Sequence, residues 1–235
     1  LEGGELGDVL QYTAFIIVMF GTMGAVMVQF PMRILIQGTK ATKEVIFDNT
    51  ESPDELIATI VEFANKARKE GLVSLEDEVK TINDPFFKKA MMMAIDGSSI
   101  KDVKDTLELE LEYMEEHGKL PGKVWEAAGG YAPTVGILGA VMGLIQVMKN
   151  LQDIDEVGHG IAVAFVATIY GVGFANLLFL PMATKITIKH RYNIIMKEMI
   201  VNGVLLMIEG INPRVIRDKL FNFFDDEMKS KQEAG

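Results

Sequence analysis

The chain has 235 residues, with 23 Lys and Arg against 33 Asp and Glu, a formal net charge of −10 and no cysteine. The acidic balance argues against nucleic-acid binding, and the missing thiols exclude disulfides and thiolate metal sites. Charged residues make up 24% of the chain, yet none falls in three long stretches: Val9 to Met32, Ala127 to Met148 and Val157 to Thr184. A helix needs about 20 apolar residues to cross the hydrocarbon core of a bilayer. Buried helices of a soluble core usually keep a charged flank facing water, so three membrane-crossing helices are the better reading.

The first of these helices is expected within residues 1–31, after an outward N-terminal end carrying Glu2, Glu5 and Asp8. Gly21, Gly24 and Ala25 are small enough to let a second helix approach closely, and Pro31 marks the other end. Arg33, Lys40 and Lys43 follow, and basic residues collect on the cytoplasmic side of a membrane. Helical periodicity through Ile34, Leu35, Val45 and Ile46 extends an interfacial helix over Met32 to Asn49.

Residues 32–126 then read as a cytoplasmic helical domain. Ser52-Pro53-Asp54-Glu55 has the form of a helix start, with Ser as cap and Pro in the first turn, and Gly71 of its end. Leu72 to Asn83 is a shorter helix. Asn83-Asp84-Pro85 opens another, which Asp96-Gly97 breaks. Ser99 opens the next, with Val103, Leu107, Leu111 and Met114 inward. No alternation of the kind that marks strands occurs, so the fold class is an all-α membrane protein.

The second membrane helix occupies 127–149 and opens at Tyr131-Ala132-Pro133. An outward loop covers 150–160, with Asp153, Asp155 and Glu156. The third helix runs over 161–184 and ends at Leu180-Pro181. Residues 185–235 return to the cytoplasm as a helix and tail, broken at Gly210-Ile211-Asn212-Pro213. Lys119 and Lys123 precede the second helix, and Lys185, Lys189 and Arg191 follow the third. Of the 23 basic residues only Lys149 lies on the outward side. An outward N-terminal end without a basic leader implies that a further membrane helix precedes residue 1 of this numbering.

The catalytic vocabulary of soluble enzymes is missing: no phosphate-binding Gly loop, no nucleophile elbow and no zinc-protease motif occurs. No enzymatic activity and no cofactor are expected. His117, His159 and His190 lack ligand spacing and read as surface histidines. Met91-Met92-Met93 reads as core filler, and the acid run Glu108 to Glu116 as a solvated helix face. Within the membrane stretches the polar groups are hydroxyls and amides: Thr13, Thr22, Thr134, Thr168, Tyr170 and Asn176. Carrying ions across a bilayer calls for an ionisable or polar site at depth, so the chain cannot by itself form a carboxylate-based proton path and would need a partner that brings the carboxylate.

Five segments together resemble one family. Tyr131 to Gly143 (YAPTVGILGAVMG) and Gly160 to Pro181 are similar to the third and fourth membrane helices of the MotA/PomA family of flagellar stator subunits. Gly21 to Pro31 resembles the end of their second, and Gly210 to Ile216 (GINPRVI) the motif after their fourth. Arg68, with Glu76 eight residues on, resembles the family's cytoplasmic charge pair. The family's first helix has no counterpart here. The resemblance implies five subunits surrounding a MotB/PomB-type partner that carries a membrane aspartate, in the cell inner membrane. It implies torque on the rotor protein FliG through Arg68 and Glu76. Pro133, Pro181 and Thr168 match positions beside the family's ion path. At Ala140, seven residues after Pro133, sodium-type members carry a threonine, so the alanine implies proton coupling. The ExbB/TolQ branch, which energises outer-membrane processes, shares the topology and is the alternative.

Overall fold

In the computed structural model, residues 9–46, 52–149, 151–152 and 154–223 are described. Nearly all of them are helical, and no strand occurs among them. Glu2, Glu5, Asp8, Asp153 and the tail beyond Phe223 lie outside this set. The chain divides into two compact units, one formed by residues 1–48 and 119–188, the other by 49–118 and 189–235.

The first unit contains α1 (Tyr12–Gln29), α2 (Met32–Ile46), α7 (Leu120–Lys149), α8 (Ile154–Phe174) and the start of α9 (Leu180–Ile208). Three of its helical stretches are long and apolar enough to cross a membrane. Their outer faces carry bare hydrocarbon: Phe20, Val28, Phe165 and Leu177 are all more than two-thirds exposed. In water such a surface would be a liability; in lipid it is the ordinary outside of the protein.

Two proline expectations need correction. Pro133 does not open a helix, because α7 already begins at Leu120, with Pro121 in its first turn where a missing N–H costs nothing. Pro133 lies inside α7 and deprives the Gly129 carbonyl of its partner. Pro181 likewise does not end a helix. The chain widens into a π-helical turn over Ala175–Phe179, with the Leu180 N–H reaching back to the Ala175 carbonyl, and continues as α9 to Ile208. Prolines interrupt soluble helices more sharply, because water competes for the freed carbonyl. In a packed membrane helix, local adjustments of this kind hold the helix together.

The second unit holds α3 (Pro53–Glu70), a 3₁₀ turn (Leu72–Leu75), α4 (Glu76–Lys80), α5 (Pro85–Ile95), α6 (Ile100–Gly118), the end of α9 and α10 (Pro213–Phe221). Its core joins Ile57, Ile60, Phe86, Met91, Val103, Leu107, Met199, Val204, Ile216 and Leu220. Met91 is fully buried, as a core filler should be, while Met92 and Met93 are partly so. Leu111 and Met114, expected inward, are also only partly buried. Asp84 caps α5 by accepting hydrogen bonds from the Phe86 and Phe87 N–H groups at 2.8 and 3.2 Å. Ser52 precedes α3 but its hydroxyl makes no cap bond. Gly71, Gly97 and Gly210 take positive φ angles of 85°, 76° and 71°, where a side chain would be strained.

Candidate functional sites

The membrane site is built on a seam between α7 and α8. Gly136, Gly139 and Gly143 of α7 meet Gly160, Ala164, Ala167 and Gly171 of α8. A Cβ on Gly136 would come within 2.8 Å of the Ala167 carbonyl oxygen, so the two backbones touch directly. Small residues at three- and four-residue intervals are what allow this approach. Pro133 stands at one end of the seam, its Cα 3.2 Å from where a Cβ on Gly171 would lie. Ala140 and Thr168 each stand one residue, about 100° of helical turn, past the seam residues Gly139 and Ala167, and both are half-buried. Thr168 donates to the Ala164 carbonyl one turn back at 3.3 Å, a bond within its own helix.

Pro181 is exposed and sits one residue past Leu180, whose side chain occupies the space above Gly129. The carbonyl freed by Pro133 belongs to Gly129, so the fold brings the surroundings of the two prolines together. Other polar groups are mostly satisfied locally: Thr134 donates to the Tyr131 carbonyl at 2.7 Å and Asn176 to that of Val172 at 2.9 Å. Thr22 is fully buried and its hydroxyl has no partner.

Two residues that periodicity left unassigned anchor this unit. Trp125 donates from Nε1 to the Gly38 carbonyl at 3.0 Å and lies against Phe179, the ring centroids 5.8 Å apart. The Tyr170 hydroxyl donates to the Val9 carbonyl at 2.6 Å and accepts from the Gln11 N–H at 3.2 Å. The signal for both was an aromatic ring with a polar tip, a type that usually finds a partner when buried. The partners themselves are main-chain atoms far away in sequence, which no motif marks.

The second candidate site lies in the other unit. Arg68 is exposed in the last turn of α3, and Glu76 is exposed in the first turn of α4. They do not pair with each other. Glu76 lies 3.0 Å from Lys80 Nζ, which also reaches Asp77 at 3.0 Å. These hydrogen bonds, to Asp77 first and then Glu76, hold the Lys80 ammonium above its ordinary pKa. Lys66 is likewise raised, chiefly by its hydrogen bond to Glu78. Arg68 instead lines a cleft of about 250 Å³ with Val61, Asn65, Lys69, Asn212, Pro213, Arg214 and Arg217.

The histidines behave as surface groups where their side chains are described: His117 stacks on Tyr113, and His190 bonds the Glu115 carbonyl. No cluster of His, Asp or Glu suited to a metal occurs among the described residues.

The arrangement defines a multi-helix membrane protein whose crossing segments carry backbone, hydroxyl and amide groups and no formal charge. Known proteins agree with this class. The model of the MotA/TolQ/ExbB proton channel family matches residues 78–200. Motility protein A of Bacillus subtilis is 34% identical over 224 residues, covering 95% of this chain and 83% of that one. Motility protein A of Helicobacter pylori is 35% identical over 236 residues, covering 100% and 92%. Among solved structures, that of C. jejuni MotAB superimposes with a TM-score of 0.91 at 34% identity, covering 96% of this chain and 88% of that one. The chain belongs to the MotA/TolQ/ExbB proton channel family, in its motility protein A branch.

Proposed function

We propose that this chain is the ring-forming subunit of a flagellar stator and, with a MotB-type partner, converts ion flow into torque. The observation that carries the reading is whole-chain likeness to MotAB structures combined with membrane helices that lack any carboxylate. A partner helix bearing an aspartate supplies what this chain lacks. The relatives named for motility favour this over the outer-membrane-energising ExbB/TolQ role.

The chain sits in the inner membrane with residues 32–126 and 185–235 in the cytoplasm and 150–160 outside. Five copies enclose the partner. Pro133, Ala140 and Thr168, with Pro181 beside the π-turn, line the path toward the partner's aspartate. Each elementary charge falling through the membrane potential releases about 2.3 kcal/mol per 100 mV, available for moving the ring. On the cytoplasmic side Arg68 presents a cation to FliG. Glu76, already shared with Lys80, presents a weaker anion.

The transported ion is the proton. A dehydrated sodium ion needs several oxygen ligands, whereas a proton needs one acceptor and water, and position 140 offers no side-chain oxygen. The test is to express the chain with a MotB-type partner in cells without stators and measure swimming speed against external sodium at fixed pH. Speed indifferent to sodium and lost with a protonophore is expected. Collapse without sodium overturns the ion assignment, and no motility with any MotB-type partner overturns the stator reading.

A further inference from the structure

Where α1 ends, the chain turns at Phe30-Pro31 and enters α2, a helix with two unlike faces. Ile34, Gly38 and Ala41, at steps of four and three residues, share one face. Ile34 packs on the cluster that holds Val124 and Phe179, and a Cβ on Gly38 would lie 3.2 Å from Val124 Cβ. Arg33, Ile36, Lys40 and Lys43, again at steps of three and four, form the other face. All four are exposed, and so is Met32, one turn before Ile36. Exposed apolar and basic side chains thus stand together on a helix that begins three residues after a segment able to cross the membrane. A helix of this kind lies in the bilayer interface, its apolar side chains in the acyl boundary and its cations at headgroup level.

Two further elements bring cations to the same height. Trp125 Nε1 donates to the Gly38 carbonyl, and tryptophan collects at the membrane–water boundary. Lys123 stands two residues before it on α7 and is exposed. A Cβ on Gly122 would lie 2.7 Å from Thr187 Oγ1, which puts the exposed Lys185 of α9 within a turn of that level. Residues 30–46, 119–126 and 181–188 hold six basic residues, Arg33, Lys40, Lys43, Lys119, Lys123 and Lys185, against two acidic ones, Glu44 and Glu126. The chain as a whole has the opposite balance, a formal charge of −10.

We propose that the outer face of α2, with Lys123 and Lys185 near it, binds acidic phospholipid in preference to zwitterionic lipid. A basic bias alone would orient the chain in the membrane and would need no particular face. Here the cations share their face with Met32 and Ile36, so a phosphate held by Lys40 and Lys43 has its acyl chain beside apolar side chains. A soluble anion has no such chain to cover them. A zwitterionic headgroup brings its own cation against the same ammonium groups. The proposal needs only the membrane placement of this chain and holds whether or not it drives a motor.

Trp125 is the single tryptophan of the chain and is bonded to α2, so its fluorescence reports the lipid at this surface. The full chain is expressed with a MotB-type partner whose own tryptophans are replaced by phenylalanine, and is reconstituted in phosphatidylcholine bilayers. Increasing fractions of brominated phosphatidylglycerol, or of brominated phosphatidylcholine as reference, then quench Trp125. Phosphatidylglycerol is expected to show a preference of about fivefold or more, shrinking as salt rises to about 1 M, where the Debye length is about 3 Å. R33Q/K40Q/K43Q should bring the two quenching curves together. R33K/K40R/K43R should keep the preference, and so should K149Q at the opposite end of α7. Equal quenching by the two lipids in wild type, or a preference indifferent to salt, overturns the proposal. So does a preference that survives R33Q/K40Q/K43Q, or one lost in R33K/K40R/K43R or in K149Q. Inorganic phosphate should weaken the preference no more than chloride of equal ionic strength; a specific loss with phosphate makes this a small-anion site and overturns the lipid assignment. Failure of the partner to co-purify bears on the stator reading alone, since the quenching is read from this chain's own tryptophan.

Discussion

Gly171→Ala is the sharpest probe of the seam between α7 and α8. The added Cβ would lie 2.5 Å from the Ala132 carbonyl oxygen, 3.0 Å from Gly136 Cα and 3.2 Å from Pro133 Cα. All three are main-chain atoms, so no rotamer change can make room. Carbon–oxygen contacts between packed helices settle at about 3.3–3.6 Å, so the helices must part by roughly 1 Å. A radial gap of that size forfeits about a quarter to a half of each dispersion contact it opens. Overpacking of this kind costs about 1–3 kcal/mol, against a gain of about 0.5–1 kcal/mol for replacing a helical glycine by alanine. The net loss is about 0–2.5 kcal/mol, but measured against a glycine-to-alanine control that shares the gain it is the full cost of about 1–3 kcal/mol, a Tm lower by about 2–12 °C for a chain of this size. Gly173→Ala, two residues on, is the matched control, because a Cβ there meets nothing within 4 Å. The chain's single tryptophan, Trp125, packs on Phe179 and reports unfolding by its own fluorescence in the detergent-purified complex. If G171A melts together with G173A or above it, the backbone contact is not what holds these helices.

Further outcomes follow from individual contacts. Trp125→Phe keeps the ring on Phe179 but removes the donor to Gly38, and should cost about 1 kcal/mol, measured by circular dichroism melting. Asp84 is the N-cap of α5 and the ion-pair partner of Lys197, with side chains only 12% and 20% exposed. Asp84→Ala should therefore destabilise the second unit more than Lys197→Ala does, by about the 0.5–2 kcal/mol of a lost cap, in denaturant melts of both variants. Burial, more than the nearby Glu115, raises the Glu198 pKa, while Arg191 opposes it. A carboxyl with a raised folded pKa loses stability as pH rises through that value. Glu198→Gln should thus melt higher than wild type at neutral pH, with the advantage fading as pH falls toward the ordinary carboxylate range; an advantage that grows on acidification would refute the burial argument.

The elements that depend on local chemistry could be read from residues alone. Asp84 before Pro85, and the glycines at 71, 97 and 210, announce helix ends because capping bonds and positive φ angles involve only a few neighbouring residues. The three crossing segments were legible for a similar reason: the bilayer excludes charge along a continuous stretch. Pro133 and Pro181 misled because a proline's effect on a helix depends on what surrounds it, and here packed helices and a π-turn absorb the missing hydrogen bond. Arg68 was legible as an exposed cation, but its neighbours Arg214 and Arg217 come from a helix some 150 residues away in the chain. The eight-residue spacing to Glu76 looked like a pair and is not one, since Lys80 lies closer along its own helix.

The Tyr170 hydroxyl has a consequence for biosynthesis. It satisfies the Val9 carbonyl and the Gln11 N–H across sequence separations of 161 and 159 residues. A ribosome adds roughly 5–20 residues per second, so these two groups wait on the order of 10–30 s for their partner to be made. Throughout that interval they must stay with water or lipid headgroups, since bare main-chain polar groups are not tolerated in hydrocarbon. The first helix can therefore settle to its final depth only after α8 has been inserted beside it.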